Sequence, residues 1–232
     1  MPNNNGKKRA REISAATDGK RARLLAARLR RAYPEVKCFL KHRNAFELLV
    51  ATILSAQCTD EQVNRVTPRL FELYPGPTEL QNAAVQEIEE VIRSLGLFRT
   101  KARALKMMAG QLVQEFGSKV PSTMEELTRL KGVGRKTANV ILAYAFGISG
   151  VVVDTHVKRL AGRLGLTKQV EPDRIEQDLM KLLPDKERTH FSHRLILHGR
   201  RVCQAMKPRC GECSLQDLCP WEGKTQPATH RS

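Results

Sequence analysis

Apolar positions recur along this chain every three or four residues, the spacing of one face of an α-helix. From about Gly19 to Ala32, Leu24, Leu25, Ala27, Leu29 and Ala32 lie among arginines, and Pro34 ends the run. The next helix is predicted from about Asn44 to Ser55, with Phe46, Leu49, Val50, Ile53 and Leu54 apolar and Asn44 as its N-cap. Thr59 and Gln62 form a capping-box pattern that starts another, which Pro68 should kink or restart. After the break at Pro75-Gly76-Pro77, Thr78 is positioned to cap a short helix. Val85 to Leu95 is a further one, with Gly96 at its C-terminal cap and Leu97 and Phe98 in the turn. A long helix follows from Arg99 to Phe116, ended by Gly117, and Ser122 with Glu125 suggests another capping box. No segment alternates with period two over a useful length, so the predicted fold class is all-α.

The stretch Leu130-Lys131-Gly132-Val133-Gly134-Arg135-Lys136-Thr137-Ala138 joins a short amphipathic run to a strongly apolar helix that continues to about Phe146. Gly132 and Gly134 suit a very tight turn, because glycine reaches positive φ without a Cβ clash. The first turn of the second helix leaves backbone N–H groups unpaired at the positive end of its dipole, a cradle for an anion such as phosphate. Val151-Val152-Val153 reads as a buried extended connection. Asp154-Thr155-His156 opens a helix to about Leu164, with Asp154 a favoured N-cap. Pro172 fits the first position of a helix ending near Leu183, and a last helix spans about Lys186 to Val202. No internal repeat of fixed period is present.

Charge narrows the partners. The 232 residues carry 40 Lys and Arg against 24 Asp and Glu, a net +16, which points to a polyanion. Residues 1–18 are polar, basic and without period, so disorder is expected there, with Lys7, Lys8, Arg9 and Arg11 adding loose attraction. The start lacks the apolar core of a secretory signal, and the apolar run from Ala138 to Val153 is too short and interrupted to span a bilayer. The expected location is the cytoplasm, at the nucleoid if the source is bacterial. The cysteines are then poor candidates for disulfides.

Cys203, Cys210, Cys213 and Cys219 are spaced C-x6-C-x2-C-x5-C. Four thiols in one short loop read as a metal site, and thiolates suit Zn²⁺ or an iron–sulfur cluster. Zinc sites usually pair two close cysteine knuckles, and here only Cys210 and Cys213 form one. Spacing alone leaves both open. Cys38 and Cys58 are expected to be ordinary buried thiols.

Taken together, these pieces resemble the endonuclease III family of DNA base-excision glycosylases. The resemblance covers roughly residues 20–222. It rests on Ser55-Ala56-Gln57, Gly96-Leu97-Phe98, the stretch from Leu130 to Asn139, Val153-Asp154-Thr155-His156, Leu197-His198-Gly199-Arg200 and the cysteine loop, whose spacing matches the family's [4Fe–4S] signature. It implies a two-lobed helix-hairpin-helix fold: a six-helix barrel over about 38–148, a discontinuous cluster lobe from 19–37 and 149–222, and a flexible tail over 223–232. DNA would lie across the cleft between the lobes, bound by a monomer.

The resemblance also assigns roles. Lys136 matches the family nucleophile and Asp154 the catalytic aspartate. An amine that displaces a base leaves an iminium, which acidifies the adjacent C2′ hydrogen and allows β-elimination, so such a glycosylase is also a lyase. Lys136 must be uncharged to attack, and Arg135, the helix N-terminus and burial are expected to favour that. Asp154 would stabilise oxocarbenium charge or help deprotonate the amine. Gln57 would fill the hole left by a flipped nucleotide and Leu97 would wedge the stack. Gly132, Val133 and Gly134 would offer amides to a phosphate, Arg135 and His156 belong to the DNA-facing motifs, and Lys207 and Arg209 would touch phosphates. Lys131 stands where the family's hairpin usually has proline, losing a fixed φ and gaining a charge near DNA. The expected activity is excision of oxidised pyrimidines with cleavage 3′ to the abasic site. An adenine-specific relative without the lysine is one alternative. Lys136, and a chain that stops about a dozen residues after the cluster, argue against it. The other alternative is a non-catalytic DNA-binding module, against which Lys136, Asp154 and Gln57 jointly speak.

Overall fold

A computed structural model describes residues 19–224 of the chain, and the basic N-terminal tail and most of the C-terminal tail lie outside them. The described residues are helical, with no strand among them. They fall into two compact units: Lys37–Ile148, and a second that joins the segment ending at Val36 to the segment beginning at Ser149. No described helix is long and apolar enough to cross a membrane.

The unit Lys37–Ile148 is built around α2 (Ala45–Leu54), in which every residue from Phe46 to Leu54 is buried. A helix that is apolar on all sides belongs at the centre of a bundle. Asn44 caps it by accepting from Glu47 N–H at 2.9 Å. Glu47 is tolerated there because Arg43 answers its carboxylate, with Nε to Oε1 and N–H to Oε2 both at 2.7 Å. Around α2 stand α3 (Asp60–Leu73), α4 (Pro77–Asn82), α5 (Val85–Val91), α6 (Phe98–Phe116), α7 (Met124–Arg129) and α8 (Arg135–Ala145). Ala138, Ile141 and Leu142 bring α8 into this core.

Several boundaries differ from the sequence pattern. Pro68 neither ends nor restarts a helix: α3 runs through it, held by Val63, Thr67, Leu70 and Phe71 on its buried face. Packing outweighs the single backbone bond that proline removes. The expected cap at Thr78 lies two residues earlier, at Gly76, because Pro77 takes the first helical position, where its preset φ fits and its missing N–H costs nothing. The cap of α7 is Thr123, not Ser122; its Oγ1 accepts from Glu126 N–H at 3.2 Å. The α5 helix stops at Val91, although Ile92 and Leu95 remain buried in the turn that follows.

The second unit gathers α1 (residues 19–32), α9 (Thr155–Arg163), α10 (Pro172–Leu182) and α11 (Asp185–Arg201), followed by single 3₁₀ turns at Cys210–Glu212 and Gln216–Leu218. Its core includes Leu25 and Leu29 from α1, Val157 and Leu160 from α9, Ile175 and Leu179 from α10, and Phe191 and Leu195 from α11. Arginines of α1 tie it down: Arg21 donates to the carbonyls of Leu164 and Gly165, each at 2.6 Å. Arg28 grips Asp217 in a two-pronged pair and also donates to Ser214 O at 3.0 Å. That hydrogen bond holds the Asp217 carboxyl below its ordinary range. Val151, Val152 and Val153 are buried in extended conformation. They have no strand partner: Val152 N–H goes to Ser192 Oγ at 3.3 Å and Gly150 N–H to Thr189 Oγ1 at 3.3 Å. Side chains of α11 thus replace a neighbouring strand and deliver the chain to Asp154.

Candidate nucleic-acid interface and cysteine centre

The turn between α7 and α8 is the first part of the site. Gly132 sits at φ 81°, a left-handed conformation that a side chain would strain. Gly134 does not: at φ −98° and ψ 176° it is ordinary extended backbone, and a Cβ built on it would meet nothing within 4 Å. Only one of the two glycines is therefore needed by the turn itself. Val133 is buried, and its N–H already donates to Leu130 O at 3.1 Å, so its amide belongs to the turn. Lys131 keeps an N–H that proline would lack, and Gln111 Oε1 accepts it at 2.7 Å. The same Gln111 donates to Arg129 O at 3.1 Å, so one amide of α6 clamps the backbone on either side of Leu130, where the loop leaves α7.

Asn44, Thr59, Thr123 and Asp154 cap their helices with side chains, whereas Gly134 places none over α8. The first turn of α8 thus keeps its amide face and dipole for an outside anion. Arg135 and Lys136, its first two residues, are exposed. The burial expected around Lys136 is absent, because the buried face of α8 begins at Ala138 and Asn139 and the first turn points away from it.

Gln57 and Leu97 share an unusual feature. Both are exposed and both adopt positive φ, 55° and 58°. For a residue with a Cβ this conformation costs roughly 1–2 kcal/mol, so the surrounding turns must impose it. The two turns are neighbours: a Cβ on Gly96 would lie 3.9 Å from both Gln57 O and Cys58 Sγ. Cys58 and Cys38 are half-buried rather than fully enclosed, and burial still pushes the Cys38 thiol up.

Asp154 caps α9 as expected, Oδ1 accepting from Val157 N–H at 2.8 Å. His156, the second residue of α9, has Nδ1 3.1 Å from Arg159 Nη2. A guanidinium only donates, so Nδ1 accepts and the ring proton sits on Nε2. Arg159 reaches on to Gly199 O at 3.2 Å and Cys203 O at 3.1 Å. Gly199 makes this crossing of α9 and α11 feasible. A Cβ there would stand 3.0 Å from His156 Nδ1 and 3.1 Å from both His156 Cβ and Arg159 Nη2. Sequence reasoning found His156 but missed Arg159, whose partners lie far along the chain.

Cys203, Cys210, Cys213 and Cys219 line one pocket, together with apolar groups from Leu160, Leu164, Val202 and Trp221. All four are free thiols. Burial raises the Cys213 thiol above its usual range, and the other three cysteines push the same way. His198 Nε2 lies 3.3 Å from Cys213 Sγ, and its Nδ1 lies 3.0 Å from Tyr33 Oη. Burial lowers His198 to about 4, which leaves a neutral ring that donates from one nitrogen and accepts at the other. Arg163 donates from Nη1 to Cys203 Sγ at 3.3 Å and lies 3.9 Å over the Trp221 ring. In the loop between Cys203 and Cys210, Lys207 is exposed. Arg209 is turned onto its own unit, paired with Glu212 at 3.0 Å and donating to Arg201 O.

Comparison with known proteins places this arrangement. A family model described as HhH-GPD superfamily base excision DNA repair protein matches residues 50–185. The chain is 55% identical to Endonuclease III of Synechocystis sp. over 206 residues, 88% of this chain and 94% of that one. It is 43% identical to Endonuclease III of Bacillus subtilis over 188 residues, 81% and 86% of the two chains. A solved structure of a trapped endonuclease III–DNA covalent intermediate superposes with a TM-score of 0.83 at 42% identity, covering 87% of this chain and 95% of that one. The fold alone extends to a thermostable thymine-DNA glycosylase, with a TM-score of 0.79 at 21% identity, 87% of this chain and 96% of that one. The chain therefore belongs to the HhH-GPD superfamily of base excision DNA repair proteins, and within it to the endonuclease III family.

The two hairpin glycines separate folding from binding. Gly132→Ala is expected to cost roughly 1–2 kcal/mol of stability through its left-handed φ. Gly134→Ser should leave the urea midpoint unchanged or raise it, since serine is a good N-cap, yet weaken duplex affinity by covering the α8 amides. Urea unfolding and fluorescence anisotropy on the same proteins check this, and unchanged affinity in Gly134→Ser would contradict it.

Proposed function

We propose that this chain is a bifunctional DNA glycosylase and abasic-site lyase that removes oxidised pyrimidines from duplex DNA. The observation that carries the reading is Lys136: an exposed primary amine in the first turn of α8, directly after a hairpin whose N-cap, Gly134, makes no side-chain cap bond to that turn. The covalent DNA intermediate solved for an endonuclease III at 42% identity supports it.

In this reading Lys136 Nζ attacks the anomeric carbon of the damaged nucleotide. The new C–N bond forms as the glycosidic C–N bond breaks, and the base leaves with that electron pair and gains a proton. The attached nitrogen loses one proton, its lone pair forms the C1′=N bond as the C1′–O4′ bond breaks, and O4′ takes a proton, leaving a ring-opened iminium. The iminium acidifies C2′, the C2′ proton is taken by a base, and the 3′ phosphate departs by β-elimination. Hydrolysis then frees Lys136. Asp154 is the carboxylate of the reaction, stabilising positive charge on the sugar or accepting the amine proton, and its cap bond through Oδ1 leaves Oδ2 outside that bond. Capping and catalysis are thus compatible in one residue.

Base release requires the nucleotide to leave the stack. Gln57 and Leu97, exposed and held in left-handed turns, are suited to enter the duplex as plug and wedge. Gly132, Gly134 and Arg135 on one unit, and Lys207 on the other, are assigned to phosphate contacts, and His156 to DNA contact from its own unit. Arg209 joins them only by giving up its pair with Glu212. Such contacts set position rather than sequence preference.

The cysteine pocket fits a [4Fe–4S] cluster. Four thiols face one partly apolar volume, and N–H donors from His198 and Arg163 stand beside two of the sulfurs. Among the described residues no three His, Cys, Asp or Glu side chains are gathered as for a single metal ion. A four-iron cluster asks for something else, since each cysteine binds a different iron. A bound cluster cross-links the loop and is capable of one-electron exchange.

Two results are expected. On duplexes carrying an oxidised thymine or an abasic site, the wild-type chain cleaves the strand, while Lys136→Gln loses strand cleavage by at least about a thousandfold and still binds. Retained cleavage in the variant would remove Lys136 from the chemistry. Elemental analysis should find iron with acid-labile sulfide in equal amounts, both lost together in Cys213→Ser. Zinc without sulfide would assign the pocket to a single ion.

A further inference from the structure

Among the described residues Lys101 is the only buried lysine, 5% exposed. Burying a lysine costs free energy unless its amine is hydrogen bonded, so its contacts should explain its presence. It stands in the first turn of α6 and holds two things at once. Its backbone N–H donates to Leu97 O at 3.0 Å. Its Nζ donates to Cys58 Sγ, also at 3.0 Å. Leu97 is the left-handed N-cap of α6, and Cys58 directly follows the left-handed Gln57. The turn around Gln57 is otherwise closed by local bonds, Cys58 N–H to Ser55 O at 3.1 Å and Ala56 N–H to Ile53 O at 3.4 Å. Those bonds shape the turn itself and do not reach the Leu97 turn. Gly96 lets the two turns approach, and Lys101 joins them.

We propose that Lys101 is a positioning residue that locks the Gln57 turn to the Leu97 turn through Cys58, so that plug and wedge enter the duplex as one rigid unit. The inference rests on the reading of Gln57 and Leu97 given under the proposed function. Two strained residues on separately moving turns would each relax before meeting DNA. Tied together, they hold their spacing in advance, and less ordering is left to be done on binding. A methionine at 101 would satisfy burial equally well, so burial alone does not call for lysine.

The test compares wild type, Lys101→Met, Cys58→Ala, their double variant and Cys58→Ser. Each acts on one duplex with an oxidised thymine and one with a preformed abasic site, both with 2-aminopurine beside the lesion. Lys101→Met and Cys58→Ala should each slow base excision about tenfold and suppress the fluorescence rise that reports unstacking. β-Elimination at the abasic site should change less than about twofold, since no base remains to be extruded. The double variant should be no worse than either single one, because both break the same link. Cys58→Ser, which keeps an acceptor, should stay within about threefold of wild type. The unfolding midpoint of Lys101→Met should not fall, because methionine fills a similar volume without a buried amine. Equal losses on both duplexes, no loss on either, or additive losses in the double variant would overturn the proposal. A wild-type chain inert on both duplexes would overturn the glycosylase reading, and this inference with it. Activity in wild type with unchanged base excision in Lys101→Met would overturn the inference alone.

Discussion

The left-handed turn at Gly132 is the constraint on which the rest of the proposed interface depends. It lets α7 and α8 meet across a very short loop, and α8 then starts at Gly134 with no side-chain cap. What surrounds the turn is built to hold it. Val133 is sunk into the core, Gln111 grips the backbone on both sides of Leu130, and Ala104 and Ile53 pack under Gly132. The buried side of α8 lies against α2, whose own apolar surface is enclosed all round. An exposed amine at Lys136 is thereby carried on a rigid base, the arrangement that precise chemistry on a large substrate requires.

A second economy runs through the unit that carries Asp154. In the segment leading to Asp154, Gly150 and Val152 donate their N–H groups to Thr189 and Ser192 of α11. Gly199 of the same helix makes room for His156 and Arg159, and His198, one residue earlier, faces Cys213. One helix thus supports the approach to Asp154, the seat of His156 and a ring nitrogen beside a cysteine sulfur. The short motif Leu197-His198-Gly199-Arg200 has a physical reason in two of its positions: a ring nitrogen at His198, and the absence of a Cβ at Gly199.

Much of this was legible in the chain because it depends on near neighbours. Asn44, the Thr59 and Gln62 pair, Pro172 and Asp154 announce helix starts within three or four residues, and the structure uses each of them. Caps shifted where several candidates stood together, at Pro77 and at Thr123. Pro68 does not begin a new helix because the buried face that carries α3 through it comes from tertiary packing. The expectation of burial around Lys136 failed because the buried face of α8 begins only at Ala138. Least legible were partners joined across the chain: Tyr33 with His198, Arg163 with Cys203, and Lys101 with Cys58. The departure at Lys131 looked like a lost constraint in the sequence. In the structure the constraint is supplied by Gln111 from another helix.

The most direct test of the account is to reduce the reaction with an abasic duplex by borohydride, digest the protein, and locate the nucleotide-bearing peptide by mass spectrometry. The account predicts a single reduced adduct on Lys136 Nζ. An adduct on the neighbouring exposed Lys131, or on any other amine, would contradict it.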